Sequence, residues 1–266
     1  MGLVPNFWDG LTVAITGGTG SFGRAFTKFL LQSAVRSVRI ISRNDHKQAE
    51  MEAHFKDSRL RFIVGDVGER DHHSLTRHFE GCSIVIHAAA LKRVEKADYN
   101  AIEYLRVNTW GAKNVVEAAL DARVERVVAL STDKASAPVT HYGVTKLAAE
   151  RIFMAGHLYG GDRTEFVCTR YGNVVGSQGS VIPLWIKQRA SGELISIINS
   201  AMTRFWMSMG EAVTLVDYAA RLGEPGTVII PRLPAATVGD MADAICPPPH
   251  SLITSRGVEK MHESLI

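Results

Sequence analysis

Leu11 to Gln32 reads LTVAITGGTGSFGRAFTKFLLQ, and this stretch decides the fold. Leu11 to Ile15 is an apolar run of strand length. The chain then turns through Gly17, Gly18 and Gly20, and Phe22, Ala25, Phe26, Phe29 and Leu30 recur at helical spacing on one side. Gly17, Gly20 and Gly23 therefore fall at a strand-to-helix turn. Glycines there permit the tight turn, the close approach of backbone to a pyrophosphate and close packing of the helix. Free N–H groups at the helix N-terminus suit phosphate oxygens. The other reading is a glycine-rich turn without a ligand, and the downstream strands and their end residues bear on the choice.

A second strand, Val38 to Ile41, ends at Ser42 and Arg43, with Lys47 close behind. An NAD site usually places an acid there for the ribose 2′-hydroxyl. A guanidinium instead suits a 2′-phosphate, although Asp45 is nearby and a solvated arginine is common. The third strand, in RFIVGDVGER, leads to Gly65, Asp66 and Val67; Asp66 either meets an adenine amino group or caps the next helix. The fourth, Ile84 to His87, is followed by Ala88, Ala89 and Ala90, small enough for a cofactor to lie against the backbone. Asn100 to Ala122 reads as one long helix, in which Asn108 needs a partner if buried.

Arg126 to Leu130 is a fifth buried strand, and TEFVCT a sixth, followed by a loop with Arg170 and Asn173. SVIPLWIKQRAS reads as a helix, ELISII as a short strand, and Thr203 and Arg204 precede a further helix. GTVIIPRL reads as a strand and VGDMADAIC as a helix capped near Gly239 or Asp240. This alternation predicts an α/β protein with a doubly wound parallel sheet. Residues 1–172 are expected to form the dinucleotide-binding domain, and residues 173–266 a smaller, interleaved substrate lobe. Arg170, Arg204 and Arg256 are available at the cleft between them for a diphosphate.

Chemistry concentrates in Ser131 to Lys146, STDKASAPVTHYGVTK. Tyr142 and Lys146 are four apart and share a helix face. An ammonium beside the phenol lowers its pKa and makes a base able to take a proton from an alcohol. Asp133 and Lys134 stand at the carboxyl end of the fifth strand, the edge where open parallel sheets bind ligands. They offer a second acid and base.

Hydrophobic content of 46%, charged content of 21% and net charge +3 describe a globular chain suited to a small anionic ligand, with no basic run that argues for nucleic acid. Three distant cysteines give no disulfide framework and suggest a reducing compartment. No run approaches a membrane span and no signal peptide opens the sequence, so a cytoplasmic protein is expected. No metal site is expected.

In order, TGGTGSFG, SR, GDV, HAAALKRV, STDKA, YGVTK, RYGNVVGSQGSVIP and MTRFWM resemble the extended short-chain dehydrogenases. More closely, they resemble the C5-inverting UDP-N-acetylglucosamine 4,6-dehydratases of capsule and flagellin-sugar synthesis. Thr132, Asp133 and Lys134 match that group's Thr-Asp-Lys, where dTDP-glucose dehydratases carry Thr-Asp-Glu. The resemblance implies a Rossmann fold and NADP, with Thr16, Gly17, Gly18, Thr19, Gly20, Ser21, Phe22 and Gly23 on the pyrophosphate. It implies Ser42, Arg43 and Lys47 around the 2′-phosphate, Asp66 and Val67 at the adenine, and Ala88, Ala89 and Ala90 along the cofactor. Tyr142 and Lys146 would run the redox step, Asp133 and Lys134 with Thr132 the elimination, and Lys92, Asn173, Arg204, Arg256 and Glu259 would face the UDP-sugar. It implies a homo-oligomer, dimer or hexamer. The tail TSRGVEKMHE departs from the group's GIRPGEKLHE at Gly257 and Val258, and the sequence ends soon after, at Ile266, where relatives continue. A nucleotide-sugar epimerase or reductase using NADP, and an NADP-binding protein without turnover, are the other readings.

Overall fold

The computed structural model describes residues 6–161, 163–254 and 259–266. Its centre is strand β1 (Thr12–Thr16), buried at every residue. A strand covered on both faces is apolar throughout rather than alternating, which is why TVAIT carries no period. The further strands are β2 (Ser37–Ser42), β3 (Leu60–Val64), β4 (Ile84–His87), β5 (Arg126–Leu130), β6 (Glu165–Thr169), β7 (Asn173–Val174), β8 (Ser196–Ile197), β9 (Thr203–Met207), β10 (Val228–Ile229), β11 (Ala235–Thr237) and β12 (Ser251–Leu252). Seven make one sheet in the order β10-β6-β5-β4-β1-β2-β3, and every pairing in it is parallel. The order reverses between β1 and β4, so their carboxyl ends open the crevice in which such sheets bind ligands.

The helices are α1 (Ser21–Leu30), α2 (Asp45–Phe55), α3 (His73–Phe79), α4 (Val94–Ala97), α5 (Ala101–Tyr104), α6 (Gly111–Asp121), α7 (His141–Gly160), α8 (Val181–Ala190), α9 (Met209–Leu222) and α10 (Val238–Asp243). They cover both faces. Ala14 turns to a core built with Val115 and Phe153, whereas Val13 and Ile15 turn to one built with Phe26, Leu30 and Val216. The expected doubly wound Rossmann architecture is therefore present. β10 pairs with β6 at the sheet edge, and α9 supplies Val213 and Val216 to the second core, so elements beyond residue 172 help to build the large sheet. A three-stranded sheet, β11-β9-β7, and a pair, β12-β8, carry the rest around Ile182, Trp185, Ile197 and Trp206.

Three local expectations change. The long helix from Asn100 to Ala122 is interrupted by a π-helical turn, Leu105–Trp110, between α5 and α6. Asn108 lies in that wider turn; its amide accepts from Leu91 N at 2.8 Å and donates to Leu91 O and Thr145 Oγ1, each at 3.0 Å. Thr203–Met207, read only as a lead-in to a helix, is strand β9, held between β7 and β11. The cap of α10 is Thr237, whose hydroxyl accepts from Asp240 N, rather than Gly239 or Asp240.

Candidate active site

The first cleft lies over the β1 turn and the ends of β2 and β3, with about 740 Å³ of space open to solvent. Gly17, Thr19, Gly20, Ser42, Arg43, Lys47, Asp66, Val67, Ala89 and Ala90 line it. Gly17 has φ +68, and a Cβ there would stand 2.7 Å from Ala89 Cα, so only glycine lets the turn lie against the alanines after β4. Thr16, Gly18, Ser21, Phe22, Gly23 and Ala88 do not line the cleft. Thr16 is buried and hydrogen-bonded to His87 Nδ1 at 2.8 Å, and burial keeps that histidine neutral by pulling its pKa down to about 3. Ser21 Oγ accepts from Gln178 N, Phe22 stacks on Phe26, and Gly23 packs on Gly18.

At the ribose end Ser42 Oγ accepts from Gln48 at 3.0 Å, and Asn44 caps α2 by accepting from Lys47 N. Arg43 is half exposed, with Asp66 at 3.8 Å and Glu103 at 3.7 Å. Asp66 caps no helix: it accepts from Gly68 N at 2.9 Å and pairs with Arg106 at 2.9 Å. A slot with glycines at one end and a half-exposed guanidinium at the other has the shape and charge to hold a dinucleotide.

The second cleft lies between the sheet edge and the smaller elements, with about 1010 Å³ of space counting the part open to solvent. Lys134, Asn173, Arg204 and Glu259 line it, with Trp185, Ile197 and Trp206 among its apolar walls. Lys92 is exposed outside this lining, and Arg256 lies outside the described residues. Both described arginines expected at the cleft are held in ion pairs, Arg170 away from its lining and Arg204 within it. Arg170 makes a two-pronged pair with buried Glu150, at 3.0 and 2.6 Å, because a buried carboxylate needs a matching fork of donors. Arg204 is buried against the tail, on Glu259 at 3.1 Å and the Lys260 carbonyl at 3.1 Å.

Between the clefts stands the acid–base group. Asp133 is fully buried; its Oδ1 accepts from Thr132 Oγ1 at 2.9 Å and Lys134 Nζ at 3.0 Å, and its Oδ2 has no partner. Thr140 caps α7 by accepting from Gly143 N, and a side chain at 143 would run into the Lys134 carbonyl. That glycine lets Tyr142 come down beside the Asp133 loop. Lys146 is buried and donates to Leu130 O at 2.7 Å. Burial lowers the Lys146 pKa. The expected fall of the Tyr142 pKa is reversed: burial first, and the Asp133 carboxylate second, push it up, while the Thr132 hydroxyl opposes them. The reason is that the Lys146 ammonium answers the strand carbonyl, and the phenol is left in an apolar site against Tyr104.

Sequence reasoning passed over Glu263, Lys260 and Trp206. Glu263 lies 3.6 Å from Lys134 Nζ, Lys260 donates to Ser136 O at 2.6 Å, and Trp206 Nε1 is buried without a partner at the second cleft. The TSRGVEKMHE tail and the MTRFWM run contain all three, but no local pattern shows a tail returning to a loop over a hundred residues away.

A family profile described as polysaccharide biosynthesis protein matches residues 13–266. The inverting UDP-N-acetylglucosamine 4,6-dehydratase of Campylobacter jejuni serotype O:23/36 is 41% identical over 97% of this chain and 78% of its own length. A UDP-glucose 4-epimerase of Rickettsia conorii is 38% identical over 96% of this chain and 77% of its own. Pen from Bacillus thuringiensis superposes with a TM-score of 0.94 at 31% identity, covering 98% of this chain and 82% of that one. DesIV, a dTDP-glucose 4,6-dehydratase from Streptomyces venezuelae crystallised with NAD and TYD, shares the fold, with a TM-score of 0.81 at 23% identity over 88% of this chain and 80% of that one. With the profile spanning both clefts and the acid–base loop between them, the chain belongs to the polysaccharide biosynthesis protein family, as its motifs had implied.

Proposed function

We propose that the protein is an inverting nucleotide-sugar 4,6-dehydratase acting on UDP-N-acetylglucosamine with NADP as a resident cofactor. The observation that carries this reading is the placement of Asp133 and Lys134, 3.0 Å apart beside buried Tyr142 at the head of the second cleft. An epimerase or reductase needs Tyr142 and Lys146 but leaves that pair without work. The choice of NADP rests on Arg43 and Lys47 at the ribose end, where the lining holds no acid directly after β2 and excludes Asp45.

When bound, the nicotinamide supplies a hydride acceptor for the sugar C4 and gives the hydride back at C6. Tyr142 takes the proton of the C4 hydroxyl. Thr132 donates to Asp133 Oδ1 at 2.9 Å and orients that carboxyl beside the phenol. The chemistry needs Tyr142 as the base at C4 and Asp133 as the acid at C6. The C4 ketone acidifies the C5 proton, because the electron pair left behind is held as an enolate. Lys134, as the free amine, takes that proton. The enolate then expels the C6 oxygen, to which Asp133 gives its proton, and water leaves. A proton returned to C5 on the opposite face inverts that centre. Asn173, Arg204 and Glu259 bound the part of the cleft that takes the UDP-sugar, with Lys92 and Arg256 as the remaining candidates toward it.

The substrate side is formed mainly by residues 173–266. The working assembly is a homo-oligomer, dimer or hexamer, in the cytoplasm. Among the described residues no helix is long and apolar enough to cross a membrane. The test is the fate of the cofactor. Product should accumulate without matching growth of reduced-nicotinamide absorbance, since the hydride returns to the sugar. Absorbance that rises one for one with product would indicate a net dehydrogenase instead.

A further inference from the structure

Glu263 is a buried acid that none of these steps uses. It comes from the C-terminal segment, which returns along β9: Thr203 N donates to Met261 O at 2.9 Å, and Arg204 holds Glu259. That docking leaves the Glu263 side chain 5% exposed between two lysine side chains, 3.6 Å from Lys134 Nζ and 3.4 Å from Lys260 Nζ. Its Oε2 has no hydrogen-bond partner. On the far side Lys134 meets Asp133 Oδ1 at 3.0 Å. Acidic and amine side chains thus alternate through Asp133, Lys134, Glu263 and Lys260, with the Glu259–Arg204 pair outside them.

Carboxyl groups flank the Lys134 amine on two sides and fix its position. A carboxylate with a bare oxygen in a buried site is costly, and the Lys260 ammonium offsets the cost.

We propose that Glu263 is a positioning residue for the elimination: from the side opposite Asp133 it steadies the Lys134 amine at the second cleft, where the C5 proton would be presented. The inference rests on the dehydratase reading. It assigns Glu263 to the removal of the C5 proton and the C6 oxygen, with no part in the oxidation at C4.

The experiment uses the full chain with its bound cofactor, as Glu263→Gln and Glu263→Asp. C5 deuteration in heavy water is followed by NMR, C4 oxidation by reduced-nicotinamide absorbance in a single turnover, and UDP affinity by calorimetry. In Glu263→Gln, deuteration should fall about tenfold or more. The absorbance should still rise, and KM and UDP affinity should stay within about twofold. Glu263→Asp should recover most of the rate. Normal deuteration by Glu263→Gln, or loss of oxidation, UDP affinity and elimination together in both variants, overturns the inference. An unmodified protein that forms no 4-keto product overturns the dehydratase reading and this inference with it; failure of the inference alone leaves the unmodified protein active.

Discussion

At the end of β2 stands the side chain proposed to set which dinucleotide is preferred. Arg43 is half exposed, its ion pairs are long, and it borders the cleft beside Lys47. Such a guanidinium is free to turn to a 2′-phosphate. We predict that NADP binds more tightly than NAD, and that Arg43→Ala loses about tenfold of NADP affinity while NAD binding is unchanged, since a charged hydrogen bond contributes about 1.5–3 kcal/mol and exposure reduces it. Equal dissociation constants in the unmodified protein, read by calorimetry, contradict this. Arg43 was legible because a missing acid at a strand end is a local feature. The state of Tyr142 was not. The four-residue spacing to Lys146 puts both on one face, yet the ammonium turns to Leu130 O, and the phenol answers to burial instead.

Among the elements, the π-helical turn between α5 and α6 connects distant parts of the site. Through Asn108 it fixes the backbone of Leu91, just past the alanines that border the cofactor cleft, and the Thr145 side chain on α7. Asn108→Ala leaves a buried N–H and C=O of Leu91 without their partner, a cost of about 1–3 kcal/mol each. The expected result is a thermal midpoint lower by about 4 °C or more. An unchanged midpoint would show that these bonds carry little stability. Strands β1, β4, β5 and β6 were readable within a residue or so because burial on both faces makes them largely apolar, and β2 was readable from Val38, Ile40 and Ile41 around Arg39. Strand β9 was hidden: its TRFWM alternates weakly, and it is held by β7, β11 and the returning tail, partners that lie far off in sequence.

Taken whole, the molecule sets a cofactor slot and a substrate cleft on either side of Tyr142, Asp133 and Lys134. The motif order pointed to two sites; only the fold shows that Arg170 is committed to Glu150 and that the tail closes on the Asp133–Lys134 loop. The surface bears on assembly too: Tyr99, Ile102 and Trp110 are 94%, 78% and 64% exposed on and beside the α5–α6 run. Apolar side chains this open are normal for a covered interface. Light scattering should give a multiple of the 29.1 kDa chain mass, and a monomer at micromolar concentration would contradict the proposed oligomer. The central claim is elimination with inversion through Lys134. It is tested most directly by incubating the protein with UDP-N-acetylglucosamine in heavy water and taking the NMR spectrum of the product. The account predicts a 4-keto-6-deoxy sugar nucleotide, inverted at C5 and carrying deuterium there, and none from Lys134→Ala. A C4 epimer without deuterium at C5, or normal turnover by Lys134→Ala, would contradict it.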